Sequence, residues 1–306
     1  MISFIVPVHV WNEKTLHCHE QLKQQLGKHQ LIIVADQCDL PDLETEIVKT
    51  PSRLYAAGSR NLGAKHAKHN ILVFIDSDIL VPDDFVEHCE QNYTADQEQI
   101  ICFPLGLEIT SSYTAGFKGM LEHYSSHYVY AHPRDSIKQL HGYCCVITKI
   151  LFEKTGGWVE TRTMELEEYA TAIHQSGVEI LLENTVLVKH YNHHGIDLFK
   201  HGFDRASVWT QKKLSGKVDW DSKHKDKKNA IGSLFSLLLW PSLLHPATFV
   251  VWLIAHKLLH AKWLWFLFTH NSFGRYFIYA IIHVIYLNTI ALGAVTGFIT
   301  NKIITR

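Results

Sequence analysis

The chain has 306 residues, with Lys+Arg 29 against Asp+Glu 30 and a formal net charge of −1. That balance excludes a global field that would draw in nucleic acid, and the length leaves room for one large domain plus an appendage. Six scattered cysteines with no Cys-x-x-Cys pair argue against a disulfide frame or a zinc site and predict free thiols in a reducing compartment.

Met1-Ile2-Ser3-Phe4-Ile5-Val6-Pro7 lacks the basic start of a signal peptide and reads as a strand over Ile2–Val8. Glu13–Leu26 follows as a helix and Gln30–Ala35 as a second strand. Ser59–His69 reads as helical and leads into Asn70-Ile71-Leu72-Val73-Phe74-Ile75-Asp76-Ser77-Asp78. The unbroken apolar run there, rich in β-branched and aromatic types, suits a central strand covered on both faces. Side chains alternate along a strand, so Asp76 and Asp78 are expected on the same side of its carboxyl end, where open α/β sheets bind ligands. Two carboxylates at that place can hold a hard divalent cation, and the cation a phosphate. The plainer alternative is a polar strand end that opens a turn.

Pro82-Asp83-Asp84-Phe85 opens another helix. Ile100–Leu107 and Tyr143–Thr148 read as strands, and Thr155-Gly156-Gly157-Trp158 as a turn. Glu165–Gln175 is a helix stopped by Gly177, and Glu179–Lys189 returns as a strand. Strands alternating with helices imply a mostly parallel central sheet flanked by helices. Among the 22 histidines, His17-Cys18-His19 and His193-His194 have no matching second half for a metal and read as surface groups.

Composition changes after Lys228, dividing a domain over 1–228 from a membrane-associated region over 229–306. Ala230–Ala255 is 26 residues and Tyr276–Thr300 is 25 residues without Asp, Glu, Lys or Arg. Each exceeds the roughly 20 residues that cross a hydrocarbon core, so membrane helices are expected at 230–255 and 276–300. Pro241 and Pro246 either kink the first or split it into a re-entrant hairpin. Trp263–Phe268, flanked by Lys257, Lys262 and Arg275, predicts an interfacial segment over 257–275. Lys212–Lys228 holds seven lysines against three aspartates, so the positive-inside bias puts the first domain on the cytoplasmic side of a membrane.

Several stretches belong together. Ser3-Phe4-Ile5-Val6-Pro7-Val8 is followed by Asn12-Glu13, and Ile32-Ile33-Val34-Ala35 ends in Asp36-Gln37-Cys38-Asp39. Ala57-Gly58-Ser59-Arg60-Asn61-Leu62-Gly63 precedes Asp76-Ser77-Asp78, and Phe152-Glu153-Lys154-Thr155-Gly156-Gly157-Trp158 precedes the acidic Glu165–Glu168. In order and spacing they resemble the family-two glycosyltransferases, inverting enzymes of the GT-A fold, over about Met1 to His190.

The resemblance implies a nucleotide-sugar donor, UDP- or GDP-linked, with Pro7, Glu13, Asp36, Arg60 and Asp76 binding its nucleotide or diphosphate. It gives Asp78, with Asp76 and His190 near by, to Mn2+ or Mg2+. It assigns the general base to an acidic pair after the glycine turn. Counted forward from Gly156-Gly157 that pair falls on Glu167-Glu168; counted back from Gly177 it falls on Glu165-Leu166. The base is therefore expected at Glu167 or Glu168, with Glu165 third. Asn12 as a helix cap and Asp36 as a turn residue are the structural alternatives. The family's turn is Pro-Val-x-Asn-Glu, whereas His9-Val10-Trp11 here replaces a single residue. The family's usual Gly-Ser after the second-strand aspartate is Gln37-Cys38 here.

Polymer-forming members of this superfamily carry Gln-x-x-Arg-Trp, which is absent, so non-processive transfer to a glycan or lipid-linked acceptor is expected, with a role in cell-envelope or extracellular glycan synthesis. A nucleotidyltransferase would start with a glycine-rich phosphate loop, and Val6–Trp11 has no glycine. The remaining alternative is a degenerate, membrane-anchored sugar-nucleotide-binding or scaffold protein without transfer activity.

Overall fold

A computed structural model of the chain describes residues 1–107, 112–125, 136–137, 139–161, 164–192, 195–216 and 225–304. His193-His194 and positions 217–224 of the lysine-rich stretch lie outside the described residues. The chain divides into two compact units, Met1–Leu107 with Ser125–Tyr191 and Glu108–Tyr124 with Asn192–Arg306.

The first unit begins with β1 (Ile2–Val8), α1 (Glu13–Gln25), β2 (Gln30–Ala35), β3 (Glu46–Lys49), α2 (Tyr55–His66) and β4 (Ile71–Ile75). It continues with β5 (Ile79–Leu80), α3 (Phe85–Asn92) and β6 (Gln99–Cys102). Helix α4 (Tyr113–Tyr124) belongs to the second unit. The first unit then resumes with β7 (Ser136–Ile137), β8 (Cys144–Thr148), α5 (Lys149–Lys154), α6 (Glu165–Gln175), β9 (Glu179–Leu182) and β10 (Lys189–His190).

One sheet runs in the order β3-β2-β1-β4-β8-β6-β9-β7. Strands β3, β2, β1 and β4 are parallel, with Ile5 opposite both Ile32 and Phe74. Strand β8 lies antiparallel between β4 and β6, and β9 rejoins β6 in parallel. Along β4, Ile71, Val73 and Ile75 enter one core while Leu72 and Phe74 enter the other. Both faces of the sheet are covered, which is why the run is apolar at every position.

The expected strand over Glu179–Lys189 is broken into β9 and β10, and the expected Ile100–Leu107 strand shrinks to β6 with one bridge between Leu105 and Val188. All six cysteines are free.

Buried His29 ties the start of the sheet together: its Nδ1 accepts from the Ile2 backbone N–H at 3.1 Å, beside the Phe4 ring. Burial is the largest influence on this imidazole and pushes its pKa down, only partly offset by Glu90. The unfolded chain therefore binds the proton more readily than the folded one, and stability falls as pH drops below the ordinary histidine range. Lowering pH from about 8 to about 5 should shift the urea midpoint down, and His29→Gln should weaken that dependence. An unchanged pH slope in the variant would remove His29 from this account.

The second unit is helical. With α4 it holds α7 (Ile196–Leu214), α8 (Lys225–Ser236), α9 (Leu239–Ser242), α10 (Pro246–Leu259), α11 (Ala261–His270) and α12 (Phe273–Ile304). The run expected to form one span at 230–255 is divided among α8, α9 and α10. Proline has no N–H to donate, so Pro246 is tolerated only in the first turn of a helix. There His245 Nδ1 caps α10 by accepting from the Ala247 N–H at 3.2 Å. Among the described residues one helix has the length and apolar composition to cross a membrane, α12 over Phe273–Asn301. It packs on α7 through glycines: a Cβ at Gly293 would lie 2.3 Å from Phe203 O, and one at Gly297 2.2 Å from Ser207 O. Phe117 of α4 contacts the rings of Trp263, Tyr279 and Tyr286.

Candidate active site

The site residues of the first unit gather where β1, β2 and β4 end. Strand β4 stops at Ile75, so Asp78 is not on the strand. Asp76 to Ile79 is instead a tight turn, closed by the Ile79 N–H donating to Asp76 O at 3.0 Å. Alternation along a strand therefore does not govern how the two carboxylates sit. They have different partners.

Asp76 is held by Arg60. One guanidinium nitrogen, Nη2, donates to Asp76 Oδ1, and Nη1 lies 3.9 Å from Glu165 Oε1. The guanidinium also sits over the Trp158 ring, 4.4 Å from its centroid. Only 2% of the Arg60 side chain is exposed. Burial opposes its charge, but Asp76 and Glu165 more than offset this and hold the guanidinium above its ordinary value. Such a buried cation is not displayed to solvent; it joins β4, the glycine turn and the start of α6.

The rest of the Ala-Arg-Asn-x-Gly stretch serves the same junction. Asn61 Nδ2 donates to Trp158 O and Asn61 Oδ1 accepts from the Trp158 N–H, both at 2.9 Å. A Cβ at Gly63 would lie 2.4 Å from Ile5 Cγ2, so only glycine lets α2 approach β1 this closely. Gly157 has φ +70, and a Cβ there would meet Asn61 Oδ1 at 3.1 Å.

Asp78 is paired with His190, Nε2 to Oδ2 at 3.3 Å. The short antiparallel pairing of β5 with β10 sets this register, with His190 opposite Ile79 and the Tyr191 N–H donating to Asp78 O at 3.1 Å. Partial burial disfavours the Asp78 carboxylate, but the His190 hydrogen bond and charge prevail and hold it below its ordinary value. Around this pair stand Lys14, Tyr143 and Tyr191, which sequence reasoning did not single out, and His17, which it read as a surface group. Tyr143 stacks on His190, His17 Nδ1 lies 2.9 Å from the Tyr191 hydroxyl, and the Lys14 ammonium lies over the Tyr191 ring. They come from segments far apart in the chain, and no local pattern marks them.

Asp36 is buried at the end of β2, and three hydrogen bonds and one ion pair reach its carboxylate. Leu54 N–H at 2.8 Å and Thr50 Oγ1 at 3.1 Å meet Oδ1, while Tyr55 N–H at 2.9 Å and Arg53 Nε at 3.2 Å meet Oδ2. In this structure Asp36 thus caps α2. Across β1 and β2 its neighbour is Val8, the Asp36 N–H donating to Val8 O at 2.7 Å, while Pro7 lies opposite Val34. Gln37 and Tyr55, either side of this cap, both have positive φ, 57 and 58. The left-handed backbone at position 37 is the place where glycine would be unstrained.

Asn12 caps α1, its Oδ1 accepting from the Lys14 and Thr15 N–H groups. Glu13 is exposed beside it, in the first turn of α1.

Glu165, Glu167 and Glu168 all lie in the first turn of α6. At about 100° per residue, Glu168 comes round to within roughly 60° of Glu165, while Glu167 points away. Glu165 faces Arg60, so the face turned toward the Arg60–Asp76 pair carries Glu165 and Glu168.

Among the described residues no three His, Cys, Asp or Glu side chains converge as a ready-made metal cage. A magnesium-type ion bound by one or two carboxylates, with substrate phosphates and water completing its shell, needs no such cage. The part-exposed carboxylates of Asp78 and Asp76 fit that kind of donor set.

Residues 3–154 match the family model described as glycosyl transferase family 2. Among solved structures, the mannosyltransferase PcManGT from Pyrobaculum calidifontis, in complex with GDP-Man and Mn2+, is similar at 15% identity. The match covers 100% of this chain and 88% of that one, with a TM-score of 0.56. TarS of S. aureus, in complex with UDP-GlcNAc, matches at 12% identity over 74% of this chain and 69% of that one, with a TM-score of 0.48. The fold comparison rests on the former. No curated protein sequence matches the chain.

Proposed function

Since residues 3–154 form a glycosyl transferase family 2 domain on a GT-A fold, we propose that this glycosyltransferase is metal-dependent and inverting. Its donor is a UDP- or GDP-linked sugar and its acceptor a hydroxyl on a lipid-linked glycan. The observation that carries this proposal is the division of labour between the two aspartates: Asp76 is locked by a buried arginine, and Asp78 sits in the adjoining turn beside His190. The mannosyltransferase of similar fold holds Mn2+ together with its GDP-sugar, which supports a metal-assisted donor site here.

Asp78, with Asp76 and His190 beside it, would hold Mn2+ or Mg2+, which when bound offsets the charge that builds on a departing nucleoside diphosphate. The ends of β1 and β2, at Pro7 and Asp36, form the wall on which the nucleotide lies, with Glu13 at its rim. Arg60 keeps the Asp76 carboxylate in one orientation. We assign the general base to Glu168, the second carboxylate on the Glu165 face of α6. It takes the proton of the acceptor hydroxyl, whose oxygen attacks the anomeric carbon opposite the leaving diphosphate and inverts it. One sugar is added per encounter, in keeping with the absent Gln-x-x-Arg-Trp. The apolar length of α12 supports attachment to a membrane, with the first unit facing the cytoplasm and the product serving glycan synthesis.

Purified protein given a panel of nucleotide sugars and Mn2+ should release one nucleoside diphosphate selectively, and chelation should stop the release. Release that is indifferent to chelation contradicts metal dependence. Nucleotide binding with no release from any donor, with glycan-lipid acceptors present, favours a binding protein instead.

A further inference from the structure

The way α12 is packed bears on how the second unit meets a membrane. Resting on the membrane attachment proposed above, we infer that this unit docks in the plane of one leaflet bearing anionic headgroups, and that α12 does not cross the bilayer.

The first observation is the partner of α12. Its later half runs parallel to α7, with Gly293 against Phe203 O, Gly297 against Ser207 O, and Gln211 Nε2 donating to Thr300 Oγ1 at 2.8 Å. These contacts advance together along both helices, so α7 accompanies α12 from about Tyr286 to Thr300. Helix α7 carries Asp197, Lys200, Asp204, Arg205 and Lys212, with Lys200, Asp204 and Arg205 exposed. If α12 crossed the hydrocarbon core, this charged helix would have to enter it too, against the cost that keeps ionised side chains out of lipid. The stretch of α12 before this pairing, Phe273–Ile285, is about 20 Å long at 1.5 Å per residue, short of the ~30 Å core.

The second observation is what the other helices expose. Trp240, Leu244, Val251, Leu258 and Trp265 are each more than half exposed, and they belong to the successive short helices α9, α10 and α11 or their junctions. Tryptophan and leucine on short helices suit insertion to headgroup depth. The charge is one-sided: Ala230–Arg306 contains no Asp or Glu, while Lys257, Lys262 and Arg275 lie among these apolar groups. Apolar side chains mixed with uncompensated cations complement an anionic leaflet.

The test uses the full chain with a protease-cleavable tag at each end. In inside-out membrane vesicles from expressing cells, protease should remove both tags. Purified protein should float with vesicles containing about 30 mol% phosphatidylglycerol and bind pure phosphatidylcholine much less. The variant Lys257→Glu/Lys262→Glu/Arg275→Glu should bind the anionic vesicles at least tenfold less, since each lost cation is worth roughly fivefold. Trp265→Gln should also weaken binding, with both variants keeping wild-type circular dichroism and nucleotide binding. A carboxyl-terminal tag that is protected while the amino-terminal tag is cut means that α12 crosses, which overturns the in-plane mode and leaves membrane attachment standing. No association with membranes or vesicles overturns attachment itself, and dimerisation in solution would then identify the apolar surface as a contact between copies. Equal binding to both lipid mixtures overturns the anionic preference.

Discussion

Asp78→Ala is expected to abolish sugar transfer while the protein stays folded. Asp78 lies in the turn after β4, with 39% of its side chain exposed and one ion pair, to His190. A part-exposed pair of this kind contributes about 1 kcal/mol or less to stability. Its proposed role in catalysis is far larger. Charge stabilisation by a bound cation is worth several kcal/mol in a transition state, so kcat/KM should fall by roughly 10³-fold or more. Transfer assays and a thermal unfolding scan on the same preparation check both halves. Full activity would remove Asp78 from the mechanism; loss of the cooperative unfolding transition would show that the turn itself depends on it.

Arg60→Met is expected to cost both stability and activity. The guanidinium is buried among Asp76, Glu165 and Trp158. Removing one member of a buried ion pair costs about 3–5 kcal/mol because the other is left uncompensated. Asp76 retains 30% exposure, so the low end applies. For a chain of this size that is a fall in Tm of roughly 5 °C. Arg60→Lys should not rescue it, since a point-like ammonium cannot bridge two carboxylates and stack on an indole as a planar guanidinium does. A stable Arg60→Met protein whose only defect is weaker diphosphate binding would contradict this positioning role and return Arg60 to direct contact with the donor.

The sheet was legible because its signal is repeated at every residue. Ile71–Ile75 is apolar throughout, since both faces of β4 are covered, and Gly177 ends α6 with a positive φ. Elements whose signal is diluted were harder to read. Glu179–Lys189 looks like one strand, yet it parts into β9 and β10 so that Lys189–His190 can pair with Ile79–Leu80. The two-residue pairing that brings His190 to Asp78 has no pattern of its own in the sequence. Distances in sequence also hid partners. The Arg60-Asn61 dipeptide could be placed on a helix near the aspartates. That Arg60 lies beneath Trp158, while Asn61 bonds both backbone groups of the same tryptophan, depends on packing across 97 residues. The charge-free run 230–255 carried the composition of a span, but composition does not report where prolines let the chain turn, and Pro246 starts a new helix there.

The most direct measurement is calorimetric titration of UDP, GDP and other nucleoside diphosphates into the purified protein, with and without Mn2+, beside the Asp78→Ala variant. Binding that prefers one base, strengthens with Mn2+ and loses that metal dependence in the variant is the predicted result. Absence of binding to every nucleotide, in the presence or absence of metal, would contradict the assignment of Asp76 and Asp78 to a sugar-nucleotide site.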